Sequence, residues 1–170
     1  MQNLLIVSQG CATLASMLLS EVLLGLSEDD FGNLVRGVSL GKLRIYQMYE
    51  SFKIGARLSK LNAESLRRAI PRFRARIAEP DEEFAKDLAQ MMLLSHLDLV
   101  RAVLDFLEIP NEDGFFAKDL DASAHLTPGW QQRVYDKFHG AFPEPALLLY
   151  INHLAWELDK TAVRFAPAAG

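Results

Sequence analysis

The sequence predicts an all-α protein, a single domain folded as a bundle of six or seven helices. Three observations carry that expectation. Apolar residues recur with a helical period along almost the whole 170-residue chain. No six-residue stretch alternates β-branched and polar side chains as a half-buried strand would. No internal repeat of roughly 20–50 residues is visible, which sets aside solenoids and propellers. A chain of this size buries about 70% of its unfolded surface and needs no metal or disulfide to fold. Half the residues are hydrophobic and 24% are charged, a globular rather than disordered composition.

Leu4 to Leu26 carries one charge, Glu21, and is long enough to span a bilayer. Gln9, Thr13, Ser16 and Ser20 nevertheless draw a polar stripe down one side of that helix, as in a core helix of a bundle, so no membrane span is expected. No Lys or Arg precedes Arg36, so the positive start of a secretory signal is missing. Ser27 before Glu28, Asp29 and Asp30 reads as an N-cap with acids in the first turn, opening a short helix that closes near Gly37. Ser39 caps the next, from Leu40 towards Arg57. Asn62 with Glu64 starts another, with Leu66, Ile70, Phe73 and Ile77 facing inward. Pro71 inside it removes a backbone donor and crowds the carbonyl four residues back, so a kink or break is expected there.

Pro80, followed by Asp81, Glu82 and Glu83, opens the longest expected helix, running to about Glu108. Phe84, Leu88, Met91, Met92, Ser95, Leu99, Ala102 and Phe106 form its core side; Asp87, Asp98, Arg101, Asp105 and Glu108 form its wet side. Residues 109–126 carry Pro110, Asn111, Gly114 and several acids without a sustained period, and read as a turn-rich connector with room for one short helix. Thr127-Pro128 predicts a helix over Pro128–His139, stopped by Gly140. Pro143 and Pro145 bracket the entry to a last helix, Ala146 to about Val163, apolar nearly all the way round. Such a helix is central in a bundle or half of a subunit interface. Ala166–Gly170 is expected to fray.

The charge is segregated. Eleven of the 18 Lys and Arg fall between Arg36 and Arg76 against two acids, Glu50 and Glu64, a net of +9. Residues 77–170 carry seven bases and 16 acids, a net of −9. Lys42, Lys53, Arg57, Lys60, Arg67, Arg68, Arg72, Arg74 and Arg76, with Tyr46 and Tyr49 for stacking, are the candidate contacts for a nucleic acid or another polyanion. The competing reading is intramolecular: cations close one helix and the acids Glu79 to Glu83 open the next, so both dipoles are satisfied and the runs pair at home.

His96 falls on the apolar row Ala85, Ala89, Met92, His96, Leu99, Val103, as a core histidine would. His153 and Glu157 stand four apart on the last helix, a metal-ligand spacing, and His96 facing them would complete three ligands of a metal or small-ligand enzyme site. The plainer alternative is a helical ion pair. Cys11 has no basic neighbour and reads as an inert thiol; phosphate-loop and calcium-loop spacings do not occur, and no catalytic residue or cofactor is assigned. A single cysteine points to a reducing cytoplasm. The leading expectation is a non-enzymatic helical interaction or scaffold protein. Its partner is a second copy of itself, through the apolar last helix, or another helical protein, with polyanion binding and metal-site chemistry as the alternatives.

Overall fold

The computed structural model of the chain describes residues 19–36, 63–78, 82–116, 120–159 and 163–168. Six α-helices have their bounds among them: α1 Glu28–Arg36, α2 Ala63–Ala78, α3 Glu82–Leu93, α4 Leu97–Phe106, α5 Trp130–Phe138 and α6 Glu144–Asp159. Residues 19–25 are helical too, and two 3-10 turns cover Leu94–His96 and Ala122–His125. Among the described residues there is no β-strand, only isolated bridges at Glu112–Phe115 and His139–Phe142, so the expected all-α class is observed. No helix of the described residues is long and apolar enough to cross a membrane. The expected helix from Leu40 towards Arg57, and Cys11 with most of the N-terminal polar stripe, lie outside the described residues.

Local chemistry sets several boundaries where the sequence placed them. The Ser27 hydroxyl accepts the Asp30 N–H at 3.1 Å and donates to the Asp30 carboxylate at 2.7 Å, a reciprocal cap on α1. Gly140, at φ 81°, takes the left-handed conformation after α5 that a residue with a Cβ adopts only under strain. In the connector, Asn111 accepts the Gly114 N–H at 3.1 Å and donates to Asp105 at 3.0 Å, folding the turn back onto the end of α4.

Four expectations need correction. Pro71 does not break α2, which runs unbroken through it. A proline inside a helix costs about 3 kcal/mol. Ile70, Phe73 and Ile77 are all buried, at about 1.5–3 kcal/mol each, and Pro71 itself is exposed, so packing outweighs propensity.

The long helix expected from Pro80 to Glu108 is two helices, because the chain turns 3-10 at Leu94–His96. The Ser95 hydroxyl bonds the Met91 carbonyl at 3.3 Å, which competes with the helical ladder, and His96 leaves helical geometry at φ −128° and ψ 45°. The buried row nevertheless continues across the break, with Ala85, Ala89, Met92, Leu99 and Val103 all fully buried. On α4 the buried face centres on Leu99, Val100, Val103 and Leu104, which leaves Phe106 at its rim, 38% exposed. His96, placed in the core by an unbroken period, is half-buried at the N-terminus of α4.

At α5, Gly129 rather than Thr127 is the N-cap, with φ 76°, and Pro128 precedes the helix. The Thr127 hydroxyl instead accepts a hydrogen bond from Arg133, which also donates to the Pro128 carbonyl at 2.9 Å. The C-terminal segment does not fray at Ala166: the main-chain N–H of Phe165 donates to Asn152 at 2.8 Å and that of Ala168 to Gln132 at 3.1 Å.

One hydrophobic core runs from the helical stretch 19–25 through α1, α2, α3 and α4 to α6. Phe31 of α1 meets Phe73 of α2 edge-on, with centroids 6.1 Å apart. The last helix, α6, lies against α1, α3 and α5. Its Ala146, Leu147, Leu149, Tyr150, Ile151, Leu154 and Ala155 are buried within this one chain, which makes it the central helix.

Candidate interaction surfaces

The basic segment divides once it is placed on the fold. Arg74 points inward: it donates to the Leu26 carbonyl and holds its guanidinium 5.8 Å from the Phe31 ring centre. It thereby supplies a cation to the C-terminal end of the 19–25 helix, where unsatisfied carbonyls concentrate. Arg76 is half-buried and engaged within the chain. Arg68 pairs with Glu64 one turn back, with its side chain 76% exposed, and Arg72 is exposed one turn further on, without a partner among the described residues. Lys42, Lys53, Arg57, Lys60 and the Arg67 side chain lie outside the described residues. On α2 the stripe open to a partner is therefore Arg68 and Arg72, while Arg74 and Arg76 serve the fold.

The histidine and carboxylate constellation does not assemble. Among the described residues no three His, Cys, Asp or Glu side chains are grouped so as to hold a metal ion, and His96, His153 and Glu157 are all among them. His96 is the N-cap of α4, with non-helical φ −128° and ψ 45°, and is half-buried there rather than in the core. His153 and Glu157 do meet, with Nε2 3.3 Å from the carboxylate, so the i,i+4 pair forms. His153 is 8% exposed and its Nδ1 has no hydrogen-bond partner among the described residues. Burial raises the Tyr150 pKa on the preceding turn, and the negative charge of Glu157 raises it further.

A third surface comes from α4, α5 and the turn after α5. The Phe106 ring meets Phe138 edge-on at 5.6 Å, and Phe138 meets Phe142 at 5.9 Å. This ladder is a half-exposed aromatic seam, and the carboxylates of Asp105 and Glu108 beside Phe106 are exposed. On the same α5, Tyr135 touches His139 at 5.6 Å and Phe165 at 6.2 Å. Its hydroxyl donates to the Glu144 carboxylate, and that bond is the main cause of its raised pKa. The described residues of the stretch 104–145 around the seam carry seven acids and two bases, a net of −5.

The sequence reading assigned Phe106 to the core on its helical spacing from Leu99, but it lies at the rim of a face centred on Leu99, Val100, Val103, Leu104 and Leu107. The Asn152 and Gln132 amides that hold the C-terminal segment carried a usable signal: Asn152 is a lone carboxamide on an otherwise apolar helix, and such a group needs partners. No family model matches the chain, and neither the curated proteins nor the solved structures contain a match to it.

Proposed function

We propose that this chain is a non-enzymatic interaction protein that self-associates, with the acidic aromatic seam of one copy receiving the basic side of another. The observation that carries the reading is Phe106, a large apolar side chain 38% exposed at the head of a three-ring ladder and bordered by exposed carboxylates. We place the seat on the seam rather than on the last helix, most of whose apolar residues are buried within their own chain, with Leu148, Trp156 and Leu158 half-buried. Two seams placed face to face would bring like charges together, which disfavours a symmetric seam-to-seam contact. A second copy carries the complement in its +9 window, with Arg68 and Arg72 on the open stripe of α2. Contact between unlike surfaces is heterologous, so it builds rings or open chains and grows with concentration. A reducing cytoplasm is the compartment we propose for it, because a chain with Cys11 as its single cysteine makes no internal disulfide.

Light scattering on size-separated protein tests the reading. The wild-type chain is expected to exceed its monomer mass of 19.1 kDa as concentration rises. Phe106→Asp and Arg72→Glu, both at exposed positions, are expected to return it to the monomer with unchanged helical circular dichroism. A wild-type protein that stays monomeric at every concentration refutes the proposal.

A further inference from the structure

Residues 163–168 run over α5 and α6 as neither helix nor strand, and side chains of both helices hold their main chain. Asn152 is 1% exposed on the central helix, a position where a carboxamide is unfavourable unless both of its ends are used. Its Nδ2 donates to the Leu148 carbonyl at 2.9 Å, which turns Oδ1 to accept the Phe165 N–H at 2.8 Å. Gln132 repeats the device. Its Nε2 donates to Asp136 at 2.8 Å, and its Oε1 accepts the Ala168 N–H at 3.1 Å. Between these amides the Phe165 ring rests 6.2 Å from that of Tyr135, and the Arg164 guanidinium lies so close to Gly25 that a Cβ there would sit 3.2 Å from it.

Oriented acceptors for main-chain N–H groups, with an aromatic seat between them, are how a fixed surface takes an extended segment: the backbone bonds hold it and the side-chain seat selects it. Beyond these contacts the resident segment faces solvent, with Arg164, Ala166 and Ala168 exposed. We infer that the α5–α6 seat is a binding site for an extended, aromatic-bearing peptide segment of a partner protein, and that residues 163–168 are a tethered strap which the partner's segment displaces. The segment that fits carries an aromatic residue with a cation just before it, and offers main-chain N–H groups at the aromatic residue and three positions later. The site stands apart from the seam contact, because Asn152 and Gln132 are not part of that ladder and its readout is peptide binding rather than mass.

The test titrates a fluorescently labelled peptide of residues 163–170 into the full-length chain. In the wild type the tethered strap competes at an effective concentration on the order of millimolar, so binding is expected to be weak. Phe165→Ala loosens the strap at the chain's edge and is expected to tighten peptide binding roughly tenfold or more. Adding Asn152→Leu, or separately Gln132→Leu in case the buried change perturbs folding, is expected to remove that gain. Equal binding by the wild type and Phe165→Ala overturns the inference. So does retention of the gain in both amide variants, or a Phe165 amide that exchanges hydrogen only when the whole protein unfolds.

Discussion

Replacing Arg74 and Arg72 separately by Met distinguishes a cation that serves the fold from one that is open to a partner. Arg74→Met removes a hydrogen bond from a charged donor to the Leu26 carbonyl, about 1.5–3 kcal/mol, and a cation near the Phe31 ring, about 0.5–1 kcal/mol. Against that loss, the Arg74 Nε is buried without a hydrogen-bond partner among the described residues, and removing it relieves about 1–3 kcal/mol of desolvation. A Met side chain keeps most of the apolar contact with Phe31. The net is a destabilisation of about 1 kcal/mol, or about 2–4 °C in Tm for a chain of this size. Arg72 is exposed, so Arg72→Met is expected to stay within about 0.5 kcal/mol of the wild type. Urea unfolding and thermal scans of the two variants give the comparison. Equal stabilities, or a larger loss at Arg72, would refute the assignment of Arg74 to the fold.

Two further outcomes follow from groups already placed. Burial and the charge of Glu157 disfavour ionised Tyr150 in the folded state, so the unfolded chain gives up that proton first, near pH ~10. Above that pH the folded state binds more protons than the unfolded one, and stability falls as pH rises, by up to about 1.4 kcal/mol per pH unit. Tyr150→Phe is expected to flatten the alkaline limb of the stability curve, and an unchanged slope would show that Tyr150 ionises freely when folded. Gly140→Ala puts a Cβ at φ 81° with no atom within 4 Å, so the cost is backbone strain alone, about 1–2 kcal/mol by urea unfolding; a neutral result would show that the turn relaxes.

Elements fixed by short-range chemistry were legible in the sequence. The Ser27 cap, the glycine stop at Gly140 and the connector turn each depend on residues within a few positions of one another, and each formed as read. Elements decided by tertiary packing were not. Pro71 looked like a breaker because the burial that outweighs it, Ile70, Phe73 and Ile77 against the rest of the bundle, is not a local property. The break at Leu94–His96 was hidden for the opposite reason: the apolar period runs through it undisturbed, and the one local sign is a serine whose hydroxyl bonds the carbonyl four residues back. His96 falls in the non-helical cap at that break and is half-buried, and no group with His153 and Glu157 forms among the described residues. The basic window was legible as a charge, but its division into Arg74 and Arg76 for the fold and Arg68 and Arg72 for solvent needed the position of α2 against α1 and the 19–25 helix.

The salt dependence of self-association, measured by sedimentation equilibrium of the wild-type chain, tests the proposed contact most directly. Opposite charge blocks meeting across an exposed surface are screened within a Debye length of about 10 Å at 0.1 M salt and about 3 Å at 1 M. Association is therefore expected to be strongest at low salt and to weaken steadily as salt rises, with Arg72→Glu removing most of that dependence. A monomer at all salt concentrations, or an oligomer whose stability is unchanged or improved by salt, would contradict a contact between the acidic seam and the basic stripe.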